Sequence, residues 1–124
     1  MKPLLEQINQ IVGVEGSMVI TRDGIMVAAA LKPKLSEDVL AALSSALVIT
    51  LKRALEPVGA GDAPEEMMLS ASDGKLIFVD LGAAYLVVVT RPHIKLNTDL
   101  VAIRSVARKL KSRCSMTTAS NGRN

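Results

Sequence analysis

The run Tyr85-Leu86-Val87-Val88-Val89-Thr90 decides the fold. A strand with one wet face alternates apolar and polar residues, whereas this one is apolar at five successive positions, so both of its faces are covered. Such a strand belongs in the middle of a sheet with helices on either side, which implies three layers. Working outward, residues 67–71 and 75–81 are two further strand-like runs, separated by Asp73-Gly74 and parted from Tyr85 by Gly82. Three strands joined by tight turns therefore close the second half of the sheet.

Toward the N-terminus, residues 17–22 and 25–31 flank Asp23-Gly24, whose tolerance of positive φ suits a two-residue hairpin turn. These two runs bring the sheet to five strands. Ahead of them, Leu4, Leu5, Ile8, Ile11 and Val12 recur at helical spacing after Pro3, and Gly13 ends the run. Between the hairpin and the last three strands, Pro33 stops the second strand and Ser36 offers an N-cap, with Glu37 and Asp38 placed to favour the helix dipole. A long helix follows to about Glu56, because Pro57 and Gly59-Ala60-Gly61 cannot continue it, and a flexible link runs on to Pro64. After Pro92, helical spacing resumes at Leu100, Ile103, Ala107, Leu110 and Cys114. The last ten residues contain only Met116 and Ala119 as apolar side chains, which predicts a disordered tail over 115–124 behind one domain over 1–114.

Composition narrows the function. With 124 residues, 49% of them apolar, the chain buries roughly two-thirds of its unfolded surface and needs no disulfide or structural metal to fold. One cysteine and one histidine fall short of the four ligands of a structural zinc site, so no metal is expected. Glu6 interrupts any export signal, and the longest uncharged stretch, 39–51, has 13 residues where a membrane span wants about 20. A cytoplasmic protein without membrane insertion is expected. From Arg91 onward eight basic residues meet Asp99 alone, while residues 1–90 carry seven basic and eleven acidic residues, so the basic surplus is C-terminal. No aromatic residue interleaves with that basic cluster for base stacking, so nucleic acid is not an expected partner and a solvated helix face is.

The order helix, two strands, helix, three strands, helix, with the longest helix in the middle, resembles the Roadblock/dynein light-chain family over residues 3–113. The parts that carry the likeness are a leading helix ending in Val14-Glu15-Gly16, a first strand running into Thr21-Arg22-Asp23-Gly24, and apolar strands bracketing Asp73-Gly74 and Gly82. The resemblance implies an α+β, profilin-like α/β/α sandwich on a five-stranded antiparallel sheet. It also implies a dimer without catalytic residues or cofactor that regulates a small Ras-like GTPase, or an adaptor in a larger complex. In the family the second helix packs antiparallel on its partner copy and the third strand pairs edge to edge.

Both surfaces can be sought in the residues. At 100° per residue, Leu40, Leu43, Leu47, Leu51 and Ala54 share one side of the second helix and are expected to face the sheet. The opposite side carries Ala42, Ser45, Ile49, Lys52 and Glu56, flanked by Ala41 and Val48, a small and apolar surface that predicts a second seam. The third strand, with Met67 and Leu69, follows the link at a sheet edge and is the expected joint between two sheets, although Met67 or Met68 filling the core fits the spacing equally well.

For a GTPase partner, Arg22, Arg53 and Arg91 are the candidate arginine fingers, with Arg22 and Arg53 as possible contacts and clamping of switch segments as the expected mode. Residues 59–63 lack the lysine and hydroxyl of a phosphate-binding loop. His93 reads as a surface histidine and Cys114 as a small hydrophobe. A small-ligand sensor is the remaining alternative, disfavoured by the shortage of inward polar residues.

Overall fold

The computed structural model describes residues 1–59 and 65–122, with side chains left out of the description beyond residue 113. The expected flexible link over 60–64 lies outside the described residues. The elements are α1 (Lys2–Asn9), β1 (Val14–Thr21), β2 (Met26–Leu31), α2 (Glu37–Leu55), a 3-10 turn (Glu56–Val58), β3 (Glu66–Ala71), β4 (Gly74–Asp80), β5 (Ala84–Thr90) and α3 (Leu96–Gly122). The strands form one antiparallel sheet in the order β2-β1-β5-β4-β3. β5 is central, as its unbroken apolar run requires, and β2 and β3 are the two edges.

The two faces of β5 feed two cores. Leu86 and Val88 join Leu5, Ile8, Ile77, Ile103 and Leu110 beneath α1 and α3. Tyr85 and Val87 join Met18, Ile20, Phe78, Ala41 and Val48 beneath α2. This is the α/β/α sandwich that the sequence predicts. α1 is pinned to the sheet by the buried Ser17 hydroxyl, which lies 3.1 Å from Leu5 O and 2.9 Å from Asn9 Oδ1.

Local chemistry sets the ends of the elements. Ser36 caps α2 by accepting a hydrogen bond from the Val39 N–H at 3.3 Å, and Glu37 and Asp38 occupy the first turn. The β1–β2 hairpin differs from the two-residue turn expected. Thr21 N–H donates to Ile25 O at 2.8 Å, leaving Arg22, Asp23 and Gly24 as a three-residue loop with Gly24 at φ +86°. A side chain at Gly24 would also run into Ser45 of α2, whose Oγ lies 2.5 Å from where a Cβ would stand, so this glycine fixes how closely the hairpin and α2 approach.

Val14-Glu15-Gly16, expected to end the first helix, instead begins β1. The pairing of β1 with β5 slips between Val14 and Gly16, a bulge that turns Val14 into the α1–α3 core and frees Glu15 for the sheet end. α3, not α2, is the longest helix. Residues from Ser115, expected as a disordered tail, continue α3 to Gly122, since no Pro or Gly interrupts them before that position.

Candidate functional site

α2 carries an exposed apolar face, but one rotated from the side expected to form a seam. Its sheet-facing residues are Ala41, Ser44 and Val48, spaced i, i+3, i+7, with Leu40 and Leu47 packed alongside. Ala41 and Val48, expected on the outward side, are therefore core residues. Leu43, expected to face the sheet, is 47% exposed, Ala54 is exposed and Leu51 is half-buried. Small residues let the helix come close to the sheet, and the bulkier leucines are displaced to its flank. The rotation is about 90° from the leucine stripe.

Of the residues expected at the seam, Ala42, Ile49 and Lys52 are exposed, whereas Ser45 is half-buried against Gly24. The outward face is Val39, Ala42, Leu43, Ala46 and Ile49, in which Val39 is 63% and Ile49 41% exposed. Its large side chains are aliphatic as far as Ile49, and Arg53 follows one turn further on. Sequence reading missed Val39, Leu43 and Ala46, because residues 39–51 carry no charge and the helix pattern therefore offers no polar side to set its rotation.

β3 is an edge strand, paired with β4 on one side only. Met67 packs on the α2-side core, which settles its position as core filling, while Met68 and Leu69 remain exposed. A cleft of about 530 Å³ separates α2 from this strand, with Leu69, Leu76 and Val89 as its floor and Leu43 and Leu47 as its wall. Leu43 belongs both to the outward face of α2 and to the cleft, so seam, cleft and edge form one apolar surface.

Two of the three arginine candidates are engaged within the chain. Arg22 Nε donates to Gly82 O at 2.8 Å, its Nη2 pairs with Asp80 Oδ1 at 3.1 Å, and its guanidinium lies 5.3 Å from the Tyr85 ring centroid. Asp80 Oδ1 also accepts the Gly82 N–H, so Arg22 latches the β4–β5 turn to β1. Burial pushes the Tyr85 hydroxyl above its ordinary pKa.

Arg91 Nε donates to Glu15 Oε1 at 2.9 Å. Glu15, nearly buried, also meets Lys32 at 2.9 Å and Lys34 at 3.5 Å. Lys32 first, then Arg91, pull its carboxyl down to about 2. Arg53 is exposed on α2 and has no ion pair among the described residues. His93 is exposed, and the side chain of Cys114 lies outside the described residues.

Among the described residues no three His, Cys, Asp or Glu side chains gather as metal ligands, and no helix is long and apolar enough to cross a membrane. The fold and this apolar surface define a profilin-like α+β domain with an unpaired edge strand beside an apolar helix face. The Roadblock/LC7 domain model matches residues 2–90, and the chain belongs to that family, whose members are generally non-catalytic adaptors and regulators.

An uncharacterized protein of Methanocaldococcus jannaschii is 29% identical over 109 residues, covering 88% of this chain and 95% of the relative. A Roadblock/LC7 domain from Streptomyces avermitilis superposes with a TM-score of 0.82 at 14% identity, over 93% of this chain and 98% of that one. Myxococcus xanthus MglB superposes at 0.83 with 13% identity, over 92% and 94% of the two chains. At these identities the two structures attest the fold.

Proposed function

We propose that this chain is a dimeric, non-enzymatic module that binds a small Ras-like GTPase and biases its nucleotide state. The observation that carries the reading is the continuous apolar surface running from the outward face of α2 through the cleft to the β3 edge. A second copy fits it best. Two α2 helices crossing antiparallel bring Ala42 and Ala46 close and bury Val39, Leu43 and Ile49, while two β3 strands satisfy each other's free backbone groups and join two sheets into one. The composite platform of two helices is the partner surface, with Arg53 beside it as the contact that remains available. Membership of a family of adaptors and regulators supports the same reading.

The test has two arms. Light scattering is expected to give twice the 13.1 kDa chain mass for the wild type and a single chain for Ile49→Asp. The small GTPase recovered with the chain from its native cell is expected to turn over GTP at a rate that changes on adding the wild type and not on adding Ile49→Asp. A monomeric wild type refutes the dimer. Unchanged turnover with an intact dimer leaves a structural adaptor and refutes the regulator.

A further inference from the structure

We propose that the groove between α3 and the β3–β4 end of the sheet is a docking site for an acidic segment of a partner protein. The groove has a volume of about 540 Å³ and lies on the face of the sheet away from α2, so it stands apart from the dimer surface. Its floor is apolar, with Val79 and Ala107 both buried. One wall is α3, where Arg104, Arg108 and Lys111 recur at i, i+4, i+7 and so share one flank.

The groove is lined by three carboxylates, Glu65, Glu66 and Asp80, and three cations, but two of the carboxylates are already paired. Arg104 is taken up by Glu66 in a two-pronged pair at 2.7 and 2.8 Å, and Asp80 by Arg22 at 3.1 Å. That leaves Arg108 and Lys111 facing Glu65 alone, and neither cation has an ion pair among the described residues. No acidic residue follows Asp99 in the chain, so nothing further along α3 supplies a counter-charge. The Arg104–Glu66 fork meanwhile holds the wall in place before any partner arrives.

The shape selects among anions. A single-stranded nucleic acid in a cationic groove is held by aromatic stacking as well as by charge, and the only two aromatic side chains, Phe78 and Tyr85, are fully buried. A bilayer is flat, whereas Arg108 and Lys111 line a recess with an apolar floor. A peptide that sets one apolar side chain on Val79 and Ala107 and carboxylates against Arg108 and Lys111 engages the apolar floor and both cations without an ion pair, with Glu65 the one lining carboxylate left to oppose it.

The probe is a fluorescein-labelled peptide of four glutamates, one leucine and four glutamates, titrated with the full chain and followed by anisotropy. Wild-type binding is expected to weaken with added salt. Arg108→Glu with Lys111→Glu is expected to lose about tenfold or more in affinity. Lys109→Glu with Arg113→Glu makes the same change in net charge roughly 150° round the helix and is expected to stay within about threefold of wild type. The milder pair Arg108→Gln with Lys111→Gln gives the same ranking should charge reversal disturb the fold. Equal losses in both reversed pairs, no binding by the wild type, or tighter capture by phosphatidylserine vesicles or a single-stranded oligonucleotide through the same two residues overturns the proposal.

Discussion

Truncating two neighbouring residues of α2 to alanine tests which way the helix faces. Val48 is 4% exposed among Met18, Ile20, Phe78, Tyr85 and Val87, whereas Ile49 is 41% exposed. Val48→Ala removes two buried methyl groups, about 1.6 kcal/mol of transfer energy, and leaves a small cavity that adds up to about 1 kcal/mol. Alanine's better helix propensity returns about 0.5 kcal/mol, so the net loss is about 2 kcal/mol, or roughly 8 °C in Tm for a domain of this size. Ile49→Ala in a dilute, dissociated chain is expected within about 0.5 kcal/mol of wild type.

The same Ile49 substitution acts where two copies meet. Covering the 41% of the side chain still in water is worth about 1 kcal/mol per copy, hence about 2 kcal/mol per dimer and a roughly thirtyfold weaker association. Urea unfolding at sub-micromolar protein gives the first pair of numbers, and sedimentation equilibrium the second. A Val48→Ala chain as stable as wild type, beside an Ile49→Ala chain that loses 2 kcal/mol when dilute, refutes the rotation of α2 and with it the composition of the outward face.

Further expectations follow from individual side chains. Ser36→Ala removes the hydroxyl that accepts from Val39 N–H and is expected to cost about 1 kcal/mol in urea unfolding. Arg22→Ala opens the latch on the β4–β5 turn, and because the side chain is 39% exposed the loss is expected at only about 1–2 kcal/mol, with faster amide exchange at Gly82 as the local signature. Glu15 is more acidic in the folded chain, at about 2, than the ordinary 4.5. Its ionised form therefore stabilises the fold above about pH 4.5, and that contribution drains away as the pH falls toward 2. Glu15→Gln is expected to flatten the urea midpoint across that window, read as midpoint against pH.

Much of this architecture is legible in the residues because its causes are local. Ser36 caps whatever helix follows it, and the apolar run from Tyr85 to Val89 has to be sheathed on both sides wherever it sits. The bulge at Glu15 is not legible, because the three cations that hold that carboxylate come from Lys32, Lys34 and Arg91, the last of them brought near only by β1 pairing with β5. Arg22 and Arg91 look equivalent to Arg53 in the sequence, and tertiary contacts alone separate the two engaged arginines from the exposed one.

By itself, then, the sequence determined the number, order and kind of the elements, the central place of β5 and the edge position of β3, since alternation, capping and turn chemistry act over a few residues. The tertiary structure decided the rotation of α2. Thirteen uncharged residues from 39 to 51 leave that helix apolar nearly all round, so side-chain polarity gives it no preferred direction. Close approach to the sheet and to Gly24 then chose the small stripe of Ala41, Ser44 and Val48 for the inside, and left Leu43 and Ile49 for a partner.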